Sequence, residues 1–262
     1  MPETIARLAI VGPGLIGTSV SLAARRRWPG LDVRLVDRAD PIETMGDAPV
    51  VVLAAPVDAI IGILPRLARV VSPQALVLDT GSTKHAIMMA AAAAGIPQFV
   101  GGHPMAGGAT SGPGEARADL FDGQPWFLTN PDAPDAVHRA VKFVEALGAH
   151  AVVLSDHGQE HDRLMAAVSH LPQVTANALM IAVVRAVGTD NLHWAGNGLR
   201  DTTRLAASGA AMWESVLASN SRELKPLLKT LAADLSALAD GLDDRDLVRR
   251  FFEEAVRAKS CL

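Results

Sequence analysis

An α/β fold is predicted for this chain: an N-terminal Rossmann-type doubly wound, mostly parallel sheet followed by an all-helical C-terminal domain. Three features predict it. Apolar runs the length of a strand alternate with helical patterns from the N-terminus to Leu154. The first of those runs leads straight into a glycine-rich turn that opens a helix. Beyond Ser155 the strand-like runs stop, and the pattern stays helical to the end. Alternating strands and helices assemble as a parallel sheet with right-handed crossovers. The expected division is a sheet domain over residues 1–154 and a helical domain over residues 155–262.

The elements follow in order. Leu8-Ala9-Ile10-Val11 is a strand, Gly12-Pro13-Gly14-Leu15-Ile16-Gly17 the turn, and a helix runs to about Arg26. Val33 to Val36 is a second strand, closed by Asp37. Val50 to Ala55 is unbroken and apolar, as in a strand buried on both faces. Val57 to Val71 has helical spacing, with Pro65 expected to break it. Ala75 to Asp79 is strand-like and leads into Thr80-Gly81-Ser82-Thr83-Lys84, then an alanine-rich helix stopped by Gly95. Gln98 to Gly101 reads as a short strand that delivers Gly102-His103-Pro104-Met105-Ala106-Gly107-Gly108 on a flexible turn. Strands around Trp126 to Leu128 and Ala151 to Leu154 flank a helix from Asp135 to Leu147.

In the second half, helices are expected over Glu160 to Val187, Met212 to Leu242 and Asp244 to Ala258. Pro172 should kink the first, because a mid-helix proline lacks an amide hydrogen and crowds the preceding turn. That helix is apolar on more than one face, and each such face must be covered. The cover expected is the same region of another subunit, a homodimer built through the C-terminal helices.

With 49% hydrophobic and 20% charged residues in 262, the composition is that of an ordinary globular protein. A net charge of −4 without a long basic run argues against nucleic acid and membrane surfaces as partners. The single cysteine, Cys261, leaves no internal disulfide and no thiol or zinc cluster. No uninterrupted apolar stretch approaches the length of a bilayer span, and the first run is too short for a secretory signal, so the cytoplasm is the expected compartment.

The glycine turn has a mechanical reading. Gly12 permits the tight exit from a strand, Gly14 lets backbone amides approach a pyrophosphate, and Gly17 lets the helix lie close on the sheet. The positive end of that helix, at Gly14, Leu15 and Ile16, then faces the phosphates. Asp37, closing the second strand, can take both ribose hydroxyls of an adenosine. A dinucleotide is the ligand that fits, NAD in preference to NADP, with Arg38 beside Asp37 keeping NADP possible.

Ligands of such sheets bind beyond the carboxyl ends of the strands, which aims Ser82 and His103 at the nicotinamide end of the crevice. His103 would accept the proton of a substrate hydroxyl as hydride leaves the carbinol carbon. Ser82 can hydrogen-bond the same hydroxyl or cap the helix behind it. Arg204 can clamp a carboxylate with its planar fork or pair with Asp201. His170 and Gln173 lie about one turn apart near Pro172. His157-Gly158-Gln159-Glu160-His161 matches a zinc-peptidase pattern, but a zinc hydrolase has no use for the glycine turn and Asp37, and no metal is expected.

Taken together, Gly12 to Gly17, Asp79 to Lys84, Gly102 to Gly107, His161-Asp162-Arg163 with Ser169-His170-Leu171-Pro172, and Arg200 to Arg204 with Met212-Trp213 resemble the prephenate and arogenate dehydrogenases of tyrosine biosynthesis. The resemblance spans almost the full length. It implies a nucleotide domain with a helical dimerisation domain, His103 as the catalytic histidine with Ser82 as its partner, and Arg204 on the substrate's side-chain carboxylate. His161, His170 and Gln173 are expected substrate contacts. The implied reaction is NAD-dependent oxidative decarboxylation of prephenate to 4-hydroxyphenylpyruvate. Many prephenate-using relatives carry a second histidine where Gln173 stands, so arogenate, giving tyrosine directly, is the alternative. A β-hydroxyacid-type dehydrogenase shares the nucleotide half but usually relies on a helical-domain lysine. A redox sensor that binds NAD without turnover would have little need of His103.

Overall fold

The structure, a computed structural model, describes residues 5–45, 47–107 and 112–261. Gly108, the last glycine of the run after His103, lies outside them. Among the described residues seven strands form one sheet: β1 (Arg7–Val11), β2 (Asp32–Val36), β3 (Val50–Leu53), β4 (Leu76–Asp79), β5 (Phe99–Pro104), β6 (Pro125–Thr129) and β7 (His150–Leu154). Their spatial order is β2-β1-β3-β4-β5-β6-β7. β1 to β5 run parallel, β6 runs against β5, and β7 is parallel to β6. β1 pairs with β2 on one side and β3 on the other, so the winding reverses there and a crevice opens at the carboxyl ends.

Period-two alternation sends successive strand residues to opposite faces, and each face has its own core. Leu8 and Ile10 of β1 pack with α1 (Leu15–Arg27) and α4 (Pro134–Ala146), through Val20, Ala24, Phe143 and Val144. Ala9 and Val11 pack with α2 (Val57–Val70) and α3 (His85–Ala94), through Ile60, Leu64 and Ile87. Each large apolar side chain so buried stabilises the fold by about 1.5–3 kcal/mol, and together they fix the strand ends that carry the site.

Two expectations in this half are corrected. Pro65 does not break α2, which runs through it to Val70. Its ring is on the exposed side of a helix held by Val57, Ile60, Leu64 and Leu67 against the sheet, so the one backbone bond it removes faces water. β5 does not stop at Gly101 but continues to Pro104, so His103 stands on a strand and not on a loose turn. The glycines before it are there for close approach: a Cβ on Gly102 would lie 2.4 Å from the carbonyl oxygen of Asp79 on the neighbouring strand.

The helical half begins with α5 (Gln159–Met165), a single π turn (Ala166–His170) and α6 (Leu171–Val187), continuous as one helix. The π turn is the adjustment ahead of Pro172: the amide of Leu171 reaches back to the carbonyl of Ala166. At 29 residues this helix is, by length and composition, long and apolar enough to cross a membrane, although its apolar stretches are interrupted, as expected, at Ser169-His170, Gln173 and Asn177. Its charges lie at its ends, Glu160, Asp162 and Arg163 in the first turns and Arg185 in the last, and only 17% of its most apolar window is buried within the chain. Short turns at Thr189–Trp194 and Arg204–Ala207 surround α7 (Asn197–Thr202). The single helix expected over Met212 to Leu242 is two, α8 (Ala210–Ser219) and α9 (Ser221–Asp240), parted at the buried Asn220. α10 (Arg245–Lys259) follows, capped by the Asp244 carboxylate on the amides of Asp246 and Leu247.

Candidate active site

A cleft of about 1130 Å³ opens at the winding reversal, lined by Gly12, Gly14, Thr18, Asp37, Arg38, Ala54 and the start of α2. Gly12 has φ +99°, and a Cβ there would meet the carbonyl oxygen of Ala54 at 2.3 Å. On Gly17 a Cβ would sit 2.1 Å from the Gly12 carbonyl, so α1 can lie on the sheet only if residue 17 has no side chain. Gly14 is different: a Cβ there would meet nothing within 4 Å, so its bareness clears space in front of the helix. The first turn of α1 carries no acidic residue and no side-chain cap, which leaves its amides and the positive helix end for an anion. Asp37 spends one carboxylate oxygen on the amide of Arg38, at 2.6 Å. The donor set fits a dinucleotide: glycine amides for the pyrophosphate and a carboxylate at the end of β2 for the ribose.

The cleft continues past Gly14, Leu15 and Ile16 into a crevice of about 340 Å³ whose walls include Thr80, Gly81, Ser82, His103, Met212 and Ser215. Ser82 is carried by the turn after β4 and His103 by β5, neighbouring parallel strands. Ser82 does not cap α3. That role falls to Asp162 of α5, whose carboxylate accepts the amides of Lys84 and His85 at 2.7 and 2.9 Å. The Ser82 hydroxyl makes no hydrogen bond among the described residues and stands open to the crevice.

Behind His103 lies a line of buried polar groups. Its Nδ1 is 2.9 Å from Nε2 of His161, and Nδ1 of His161 is 2.9 Å from a carboxylate oxygen of Asp162. Under them Lys84 and Asp79 form a fully buried ion pair, and Asp79 also accepts the amides of Gly81 and Gly102. Burial drives the His103 pKa well below 6.5, helped by the neighbouring His161 and Lys84. His161 is lowered too, by burial, against its hydrogen bond to Asp162. Burial pushes the Asp162 carboxyl up, but hydrogen bonds from His161 and from the two amides hold it below its ordinary value.

His161, expected as a substrate contact, has no exposed surface: its ring lies against His103 and Asp162 and, nearly perpendicular, against Phe127. His157, the other histidine of the zinc-like pattern, points elsewhere, 3.6 Å from Asp132, and among the described residues no three potential ligands converge on a metal. His170 is likewise buried, its Nδ1 accepting from the amide of Asn220 and its ring set edge-to-face on Trp213. Gln173 is consumed in packing. Its amide donates to the carbonyl of Leu205 at 2.7 Å and to Asn177, and its oxygen accepts from Ser208. Gln173 therefore anchors the turn that carries Arg204. Arg204 is exposed, lies outside the crevice wall, and makes no ion pair with Asp201 or any other described residue.

Residues 13–153 match the family model described as the prephenate dehydrogenase nucleotide-binding domain, and residues 157–254 match the prephenate dehydrogenase dimerization domain. The chain belongs to the prephenate dehydrogenase family. Among its relatives, cyclohexadienyl dehydrogenase from Zymomonas mobilis is 29% identical over 97% of this chain and 95% of its own. Prephenate dehydrogenase from Bacillus subtilis is 33% identical over 84% of this chain and 65% of its own. In fold, the chain resembles the structure of prephenate dehydrogenase from A. aeolicus in complex with hydroxyphenyl propionate and NAD+, with TM-score 0.89, 22% identity and full coverage of both chains. Membership makes this protein a dehydrogenase that works with a nicotinamide dinucleotide, and sets aside the β-hydroxyacid and redox-sensor readings.

For this prephenate dehydrogenase family member, Ser215 is a site residue that no sequence pattern marked. Its hydroxyl, carried on α8, is buried at the crevice wall with no hydrogen-bond partner among the described residues. Asp162 was legible only as part of the His161-Asp162-Arg163 run and Asn220 only as a polar residue within an expected helix, since, the adjacent His161 apart, the groups they bind lie 50 or more positions away.

Proposed function

We propose that the protein oxidatively decarboxylates prephenate to 4-hydroxyphenylpyruvate, using NAD. The observation that carries this reading is His103: an imidazole kept neutral by burial, in the wall of the crevice that continues from the glycine turn, with the open hydroxyl of Ser82 in the same wall. Gly12, Gly14, Leu15, Ile16 and Gly17 would hold the pyrophosphate, and Asp37 the adenosine ribose, repelling the 2′-phosphate of NADP. When bound, the nicotinamide supplies the hydride acceptor.

The chain's own residues do the rest. Ser82 and His103 hydrogen-bond the ring hydroxyl, and His103 takes its proton as the carbinol carbon is oxidised. Loss of carbon dioxide from the ring carbon leaves an aromatic phenol, so the demand on the protein is orientation and one proton acceptor. The crevice wall holds no lysine or arginine among the described residues, yet the substrate carries two carboxylates. Arg204, whose guanidinium has no partner among the described residues and whose turn Gln173 fixes, is the clamp we assign to the side-chain carboxylate.

Arogenate is the second reading. The described wall has neither a cation nor a carboxylate that would tell a keto from an amino side chain. The enzyme acts as a homodimer through its C-terminal helices, the region that matches the family's dimerization domain. Recording reduced-cofactor absorbance with prephenate and arogenate, each under NAD and NADP, tests all of this. Turnover expected is highest with prephenate and NAD; no turnover with either compound would overturn the assignment.

A further inference from the structure

Two polar side chains outside the crevice wall, His161 and Asp162, stand in line behind His103, which is in it. Asp162 is ionised at neutral pH and can only accept, so Nδ1 of His161 must carry the hydrogen across their 2.9 Å contact. A neutral His161 then offers a lone pair at Nε2. Across the next 2.9 Å contact the hydrogen must therefore sit on Nδ1 of His103. The opposite edge of that ring, with Nε2 bare, is the one left for the crevice.

Asp162 is in turn fixed by the amides of Lys84 and His85, so the line ends on the backbone start of α3 and not on a mobile side chain. Other groups around the two rings are Lys84 and Asp79 beneath, paired with each other, His170 from the π turn, and the uncharged ring of Phe127 from β6.

We propose that His161, backed by Asp162, is a positioning residue that holds His103 in its reactive tautomer and receives the substrate's proton at second hand. The step is proton transfer alone. The substrate O–H bond breaks as an N–H bond forms on Nε2 of His103, while the N–H bond on Nδ1 of His103 breaks as one forms on Nε2 of His161. His103 ends neutral in the opposite tautomer, and the positive charge rests on His161 against the Asp162 carboxylate. This rests on His103 being the base of the proposed reaction, but the tautomer does not depend on which substrate is turned over.

The test uses His161→Gln and His161→Phe. Asp162 is left alone because it also caps α3. Nitrogen-15 histidine spectra of the full-length protein, without substrate, should show His103 protonated at Nδ1 and bare at Nε2. Gln, whose carbonyl can accept, keeps that tautomer; Phe, which cannot accept, loses it. In turnover both variants should keep KM. His161→Gln should lower kcat about tenfold and move the acid limb of kcat/KM to lower pH, because the proton can no longer come to rest beside Asp162. His161→Phe should lower kcat by about 10². A merely structural histidine would leave the acid limb in place or, since its charge helps to lower the His103 pKa, let it rise, in whatever fraction folds. Nε2 of wild-type His103 protonated at neutral pH, or His161→Phe with wild-type kcat and pH profile, overturns the proposal. The expected tautomer without turnover of prephenate or arogenate overturns the substrate reading and leaves the positioning role standing.

Discussion

An imidazole serves as a base only while it is unprotonated, and burial settles that for His103. Its pKa lies well below 6.5, so kcat/KM should be level from neutral pH down past 6.5 and fall only on further acidification. A pH profile whose acid limb sits at or above 6.5 would show that the ring titrates in open solvent. His103→Asn should leave dinucleotide binding nearly intact and lower turnover by about 10² or more, read by cofactor titration beside steady-state rates. At the other end of the cleft, Asp37→Ala should relax the preference for NAD over NADP, measured as the ratio of their kcat/KM values. The glycine turn was legible because its constraints are local: Gly12, Gly14 and Gly17 each answer to a neighbour within one strand–turn–helix unit. His161 was not. The adjacent Asp162 apart, its partners come from β5 and β6, and nothing in its own stretch of sequence says that a histidine at the start of a helix will be sealed behind another one. The glycines before His103 misled in the opposite direction, since a residue without a side chain serves a flexible turn and a tightly packed strand equally well.

Among the elements, the helix from Gln159 to Val187 shows how one irregular turn organises a site. The π turn sets His170 inward, where the two amide hydrogens of Asn220 are shared between the main-chain carbonyl of Asp162 and Nδ1 of His170. An Nδ1 that accepts cannot also be protonated, and burial lowers the His170 pKa to about 4. The unfolded chain therefore binds a proton near pH 6.5 that the native ring refuses until about pH 4. Stability contributed by the neutral ring is whole above the unfolded value and drains away as pH falls through that window. Melting temperatures of the wild type should decline from pH 6.5 toward 4, and His170→Gln should flatten the decline; equal slopes would remove His170 as its source. The same contact explains why α8 and α9 part at Asn220, where the composition alone reads as one helix. Propensity describes a helix by its own residues, while Asn220 is held by groups on α5 and the π turn. Pro65 fails as a breaker for a related reason: four residues buried against the sheet outweigh one lost backbone bond on the wet side. On α8, Ser215→Ala should raise KM for the substrate or cofactor without loss of thermal stability, because the hydroxyl it removes has no partner among the described residues.

At the scale of the molecule the two halves bury their apolar surface differently. The sheet domain closes both faces of its central strands within one chain, whereas the helix from Gln159 to Val187 and α10 leave apolar faces open. Val168 and Ile181 lie more than half exposed, as do Phe252 at 61% and Val256 at 69%. The excess of apolar residues on more than one face of the long helix was readable from sequence, and so was the inference that a second copy covers it. Which side of α10 joins that surface was not, because a helix with no buried residue in its own chain gives no internal reference for its rotation. Large apolar side chains exposed on two helices of a domain mark a surface that a partner covers. The protein should sediment as a dimer at micromolar concentration. Phe252→Glu with Val256→Glu places two charges where the partner's apolar side chains would lie, and should shift sedimentation toward the monomer with a lower melting temperature, since burial across the interface contributes to the stability of both copies. The dinucleotide cleft is built from the sheet domain alone, so cofactor binding should survive in whatever monomer remains folded. A wild-type protein that sediments as a monomer at every concentration would leave those faces unaccounted for and sink the dimer.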